Sequence, residues 1–258
     1  MTMKRALRWV TAPMLATLLL ACQAQRAQLP VEPRVGPMPS RELMVSPSQL
    51  QQAAGEAYAR LIEEAAADRV LDLDPALKER LLAIAQRLIS ASGALRAEAP
   101  GWPWEFHLID RAPLDAWCLP GGKIAVHSPL VTRLGLDDDE FAALLAHAMA
   151  HALRGHPLER AQTDTATDSS GLDLASVAGR PYSRAHESEA DRLGVELAAR
   201  AGYSPQAATG LWRKAAALAG TGVQVRWLIK HPWMPSRQDE LEAVARRVMP
   251  LYDQAKRP

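Results

Sequence analysis

LLAHAMAHALRGH, residues 144–156, places His147 and His151 four positions apart in a run that is otherwise mostly Leu and Ala. The acidic run from Asp137 to Glu140 stands ahead of it, able to cap the first amides, so a helix is expected from near Asp137 to about His156. Residues i and i+4 share one face of a helix, and two imidazoles so placed can meet one ion at the ~2.0 Å that zinc requires. The pair alone is weak evidence. Two histidines on an Ala-rich helix serve equally well as hydrogen-bonded polar residues of a core.

The odds change at RAHESEADRLGVELAARAG, residues 184–202, a further helical stretch ended by Gly202. Glu187 and Asp191 lie four apart on one face of it. Glu187 can be a third metal ligand, and Asp191 can accept the N–H of a ligating histidine and so orient its ring. Two histidines and a glutamate with an open fourth position form the arrangement of catalytic zinc sites. The plainer alternative is that Glu187 and Glu189 form a solvated face with Arg184 and Arg192. By the helical period Glu189 points about 160° from Glu187, so it is left out of the ligand set.

Outward from these helices, SPSQLQQAAGEAYARLIEEAAADRV and DPALKERLLAIAQRLISASGAL each open on a Ser or Asp cap followed by Pro and space their apolar residues at three and four. WPWEFHLID and DAWCLPGGKIAVHS carry aromatic and β-branched residues, with Pro120, Gly121 and Gly122 separating two strands. AQTDTATDSSGLDLASVAGR, residues 161–180, is polar and small, a loop or short helix. SPQAATGLWRKAAALAG and SRQDELEAVARRVMPLY supply the last helices. No repeat is present. The expected class is α+β, mainly helical with a small β-sheet, in one domain over residues 47–258.

Ahead of that domain, MTMKRALRWV is basic and TAPMLATLLLA is apolar, too short to span a bilayer, and LLAC ends at Cys22. This reads as a lipoprotein signal over residues 1–21, with Cys22 the lipidated first residue, and Gln23 after it favours the outer membrane. Residues 22–46, with four prolines and no apolar period, read as a tether. The 258 residues are 48% hydrophobic and carry 30 Lys plus Arg against 29 Asp plus Glu, so a real core is expected and nucleic acid is not an expected partner.

DAWCLPGGKIAV, LLAHAMAHALRGH, ESEAD and HPWMPSR stand in the order of four motifs of one family: a strand and Pro-Gly-Gly turn, HExxH, ExxAD and HPxxxxR. The chain resembles the periplasmic zinc metallopeptidases of the HtpX, BepA and LoiP type, gluzincins related to the CAAX prenyl proteases, over residues 46–252. The resemblance implies a zincin-like domain in which His147, His151 and Glu187 bind Zn2+ and Asp191 supports a histidine. It implies that the strand Gly122, Lys123, Ile124 and Ala125 pairs with an extended peptide substrate, and that His231 and Arg237 belong to a segment near the metal. The implied activity is metalloendopeptidase action in envelope quality control on unfolded or misassembled envelope proteins, from a lipid anchor on the periplasmic face of the outer membrane.

Two features depart from the family. Ala148 stands where the family has its general base, and a methyl group cannot take a proton from the attacking water, a loss of about 10²–10⁴-fold in rate. The 35 residues between His151 and Glu187 are fewer than relatives carry. The alternative is therefore an inactive zinc-binding pseudo-peptidase, a chaperone or adaptor for outer-membrane proteins. Of the other residues, His156 is expected to be solvated near the helix end, about 140° round from His151. His107, His127 and His186 are expected to be structural, Cys118 a small buried hydrophobe, and Trp102, Trp104 and Trp117 core residues around the sheet.

Overall fold

Ser46 accepts from the Gln49 N–H while the Gln49 side chain accepts from the Ser46 N–H, so α1 (Pro47–Ala67) opens on a capping box with proline in its first turn. Asp74 caps α2 (Pro75–Ser92) through the Leu77 N–H. Both starts are those expected from the sequence. They are seen in a computed structural model, which describes residues 46–163 and 180–256. The signal segment 1–21, Cys22, nearly all of the tether and most of the polar stretch 161–180 lie outside the described residues.

After a 3₁₀ turn at Ala99–Gly101 come β1 (Glu105–Ile109), β2 (Ala116–Leu119) and β3 (Lys123–His127). The sheet order is β1-β3-β2, with β1 parallel and β2 antiparallel to β3. The β2–β3 turn needs its glycines: Gly121 and Gly122 have φ of 83° and 81°, and a Cβ on Gly122 would stand 2.8 Å from the Trp104 indole. The central place of β3 corrects one expectation. Lys123, Ile124 and Ala125 are paired on both sides, to β1 and to β2, and Gly122 lies in the turn, so this segment has no edge on which a peptide could add. Among the described residues the open edge beside the helices belongs to β2.

Helix α3 (Ser128–Leu134) stops at Gly135, which is left-handed. Helix α4 (Asp138–Arg154) starts on a capping box between Asp137 and Glu140, and every residue from Glu140 to Leu153 is buried. That explains its Leu and Ala all round, since a helix covered on every side needs no polar face. It ends at Gly155, φ 86°, two residues short of the expected end, and α5 (His156–Thr163) starts in a new direction.

Helix α6 (Arg184–Arg200) lies along α4, and the remaining helices are α7 (Ala207–Gly220), α8 (Arg226–Lys230) and α9 (Pro235–Ala255). The short α8 has no counterpart in the sequence reading. Gly194 sets the α4–α6 approach, because a Cβ there would stand 2.9 Å from both Cα and N of His147. Phe141, Leu144, Leu145, Met149, Trp212 and Trp227 are fully buried at the centre of the core, directly behind the α4 histidines. The class is α+β, mainly helical with a three-stranded sheet, as expected. No helix among the described residues is long and apolar enough to cross a membrane.

Candidate metal centre

Helices α4 and α6 bring His147, His151 and Glu187 together, and the residue after α8, His231, joins them. Ligand atoms of these four buried side chains all lie within 4.8 Å of one another. His147 Nε2 stands 3.2 Å from His151 Nε2 and 3.2 Å from His231 Nδ1. Glu187 Oε1 is 2.8 Å from His231 Nδ1 and 3.5 Å from His151 Nε2, and Glu187 Oε2 is 3.5 Å from His147 Nε2.

The arrangement fits a metal ion. Two nitrogens each about 2.0–2.1 Å from a tetrahedral ion stand about 3.3 Å apart, close to the 3.2 Å separations here. Without an ion, His147 Nε2 faces two other ring nitrogens, and a neutral imidazole nitrogen can serve only one such contact as donor or acceptor. Glu187 Oε2 is buried with no hydrogen bond, although Arg237 Nη2 lies 2.8 Å away. Three lone pairs and a carboxylate aimed at one point suit a cation.

Electrostatics favour the ligating forms. Burial pushes His151 well below its ordinary range, and it lowers His231 to about 4 despite the pull of Glu187. Burial alone would raise the Glu187 carboxyl, but the His231, His151 and His147 rings around it hold it far below the usual carboxylate range. Neutral imidazoles beside an ionised carboxylate are the donors a divalent ion needs.

Behind these donors, Asp191 Oδ1 lies 3.0 Å from His147 Nδ1, near enough for charge contact though not aligned as a hydrogen bond. Arg237 holds both acids: its Nε and Nη2 donate to Asp191 at 2.5 and 2.8 Å, and Nη2 also meets Glu187. The guanidinium lies 3.7 Å over Trp212 and Nη1 donates to the Pro232 carbonyl, so Arg237 ties the segment after His231 to α6. Asp191 and Arg237 thus stand behind the donors, and neither lines the cavity.

That cavity, about 30 Å³, lies between β2 and α4 and is lined among others by Trp117, Cys118, Ala148, His151, Tyr182 and His231. It has room for a water but not for a peptide. Ala148 lines this cavity beside His151 and His231. Cys118 is buried, its thiol pushed up by desolvation, with no partner cysteine among the described residues. Tyr182 stacks on His151 with ring centroids 3.9 Å apart and covers the cavity from the α6 side.

Two expectations need correction. The fourth donor position is not open, because His231 Nδ1 fills it. His156 is fully buried: its Nδ1 lies 3.0 Å from His151 Nδ1 and its Nε2 3.2 Å from Glu189 Oε2. The left-handed Gly155 turns His156 back under His151, which a continuous helical wheel cannot anticipate. Glu189 stands outside the ligand cluster, as expected, and pairs with His156 and, at 2.9 Å, with Arg154. The remaining histidines have local partners, His107 with Asp72, His127 with the Pro113 carbonyl and His186 with Glu159.

The sequence profile of Peptidase family M48 matches residues 75–245, which hold His147, His151, Glu187 and His231. The chain is 28% identical over 176 residues to the mitochondrial metalloendopeptidase OMA1 of Saccharomyces cerevisiae, covering 60% of this chain and 51% of that one. It is 28% identical over 178 residues to the mitochondrial metalloendopeptidase OMA1 of Bos taurus, 58% of this chain and 34% of that one. It is 25% identical over 227 residues to the beta-barrel assembly-enhancing protease of Yersinia pestis, 78% of this chain and 45% of that one. The chain thus spans about a third to a half of the length of these relatives.

Proposed function

The chain belongs to peptidase family M48, a metallopeptidase family, and from that premise we propose that it is a zinc-binding metalloendopeptidase-type protein of the bacterial envelope whose own peptide-bond hydrolysis is impaired by Ala148. The observation that carries the reading is the convergence of His147, His151, Glu187 and His231 on one point. His147, His151 and Glu187 are the ligands, and zinc held there would polarise a peptide carbonyl and a water. Asp191 and His156 set the ring orientations of His147 and His151, Arg237 holds Glu187 and Asp191 in place, and His231 must withdraw before a substrate carbonyl can approach.

The substrate would lie along the outer edge of β2, above α4, as an added strand. The envelope location rests on the N-terminal sequence, in which residues 1–21 read as a lipoprotein signal, Cys22 as the lipid-bearing residue and residues 22–46 as the tether of the domain at 47–258. Under that reading the chain sits on the periplasmic face of the outer membrane. Its clients would be unfolded or misassembled envelope proteins, in keeping with a relative named for β-barrel assembly.

A second reading is favoured by Ala148 together with His231: a zinc-binding module that holds clients without cutting them. No base stands beside the attacking water, and a fourth protein donor closes the site as in structural zinc centres. Casein cleavage by the zinc-loaded chain and by its Ala148→Glu variant, each with and without chelator, separates the two. Cleavage by the variant alone, stopped by chelator, would mean that the missing carboxylate silences an otherwise competent site. Absence of cleavage from both despite one bound zinc favours the binding module. Absence of bound zinc would overturn both readings.

A further inference from the structure

Strand β2 has one edge paired to β3 and the other free among the described residues. The bond from the His127 N–H to the Asp115 carbonyl, 2.9 Å, sets the alternation along it. Trp117 and Leu119 turn their backbone groups toward β3, and Ala116 and Cys118 turn theirs to the free edge. An added peptide strand would have to bond at these two residues.

At Ala116 both groups are already taken, and by side chains. Asp115 Oδ1 accepts from the Ala116 N–H at 2.9 Å, and Lys230 Nζ donates to the Ala116 carbonyl at 3.3 Å. The same two side chains form a buried ion pair, Nζ to Oδ1 2.7 Å, and the ammonium lies 4.8 Å over the Trp117 ring. Asp115 Oδ2 has no hydrogen bond, and the nearest other cation, Arg226, is 3.8 Å away and half exposed. A buried ion pair is a poor device for stability, since desolvation offsets its Coulomb gain and apolar residues of like volume do as well. Its place on a strand edge gives it a different use, because charge set against an edge is how sheets refuse further strands.

We propose that Asp115 and Lys230 form a clasp that closes the free edge of β2, and that an extended peptide segment adds there only when the clasp opens. This rests on the reading of β2 as the strand that receives substrate or client. The cavity beneath that edge is too small for a peptide, so addition requires the Lys230 segment to move. Lys230 is the last residue of α8 and His231 follows it directly. A displacement that withdraws Nζ from Ala116 therefore draws His231 away from the metal donors, and the edge and the fourth donor position open together.

The test compares the full-length chain with its Asp115→Asn/Lys230→Thr variant, which removes both charges and leaves neither buried alone. The probe is a short fluorescein-labelled peptide of alternating Val and Thr with lysine at each end, followed by anisotropy, beside the same peptide N-methylated at alternate amides. The variant is expected to bind the plain peptide roughly tenfold or more tightly than the original chain, since closure reduces the competent fraction. The methylated peptide is expected to bind neither. Equal affinity of the two proteins for the plain peptide overturns the clasp and leaves strand addition standing. Binding by neither protein, or undiminished binding of the methylated peptide, overturns strand addition and the clasp with it. If the variant does not fold, reductive methylation of the original chain, read by mass spectrometry, decides. Lys230 is expected to resist labelling alone and to react when peptide is saturating, and protection unchanged by bound peptide overturns the clasp.

Discussion

His151 Nδ1 stands 3.0 Å from His156 Nδ1, so a single proton lies between two imidazoles. With His151 Nε2 turned to the metal donors, that proton belongs to His151 and His156 accepts it. The remaining proton of His156 then sits on Nε2 and is donated to Glu189 Oε2 at 3.2 Å, while Arg154 Nε holds Glu189 at 2.9 Å. The tautomer that His151 would need to bind a metal is thus set by a chain of three side chains that runs out to the surface.

His156→Phe keeps most of the volume and removes the acceptor. Zinc affinity, measured by competition with a chromophoric chelator, should fall about 10–100-fold with the fold retained. An unchanged affinity would mean that His151 is oriented by its stacking on Tyr182 alone.

Gly194→Ala tests the helix contact that places His147. The new methyl would stand 2.9 Å from His147 Cα and N and 3.1 Å from the Ala146 carbonyl carbon, all of it backbone that cannot step aside. A loss of about 1–3 kcal/mol in stability is expected, with weaker zinc binding because α4 must shift. Gly55→Ala is the control. Nothing lies within 4 Å of its added Cβ inside α1, so urea midpoints should rise there by up to ~1 kcal/mol in stability and fall for Gly194→Ala.

The buried histidines also set a pH dependence. Burial lowers His156 and His231 to about 4, whereas an unfolded chain protonates histidine near 6.5. Between those values the unfolded state binds protons that the folded state refuses, so the stability of the zinc-free protein should fall as pH drops from about 6.5 to 4. Glu187 is shifted in the same direction, downward, so its contribution adds to the loss, but only as pH falls below the ordinary carboxylate value near 4.5. Urea midpoints across that range check the slope. A flat profile would mean that water reaches both rings.

The convergence of His147, His151, Glu187 and Asp191 is legible in the sequence because the helical period places residues four apart on one face, and α4 and α6 are each unbroken between their pairs. His156 is not legible in that way. One left-handed residue, Gly155, resets the direction of the chain and turns a position 140° off the face into a neighbour of His151. The role of β3 is hidden for another reason. A hairpin and a preceding strand are readable locally, but β1 lies parallel to β3 and so moves β3 to the centre, and a sheet order of that kind is not written in any local pattern. His231 is recognisable by motif alone, since the arc through α8 that carries its ring to the fourth corner depends on Trp227 packing beneath His147. Lys230 and Asp115 carry no signal as a pair, being 115 positions apart.

His147 also packs nearly perpendicular to two indoles, Trp212 with ring centroids 5.4 Å away and Trp227 at 6.1 Å, and Trp212 stacks on both Trp227 and Trp233. The His147 ring therefore backs onto the strongest fluorophores a protein contains. Exchange of a colourless ion for cobalt or copper should dim their emission, so the chain carries its own optical gauge of whether the centre is filled.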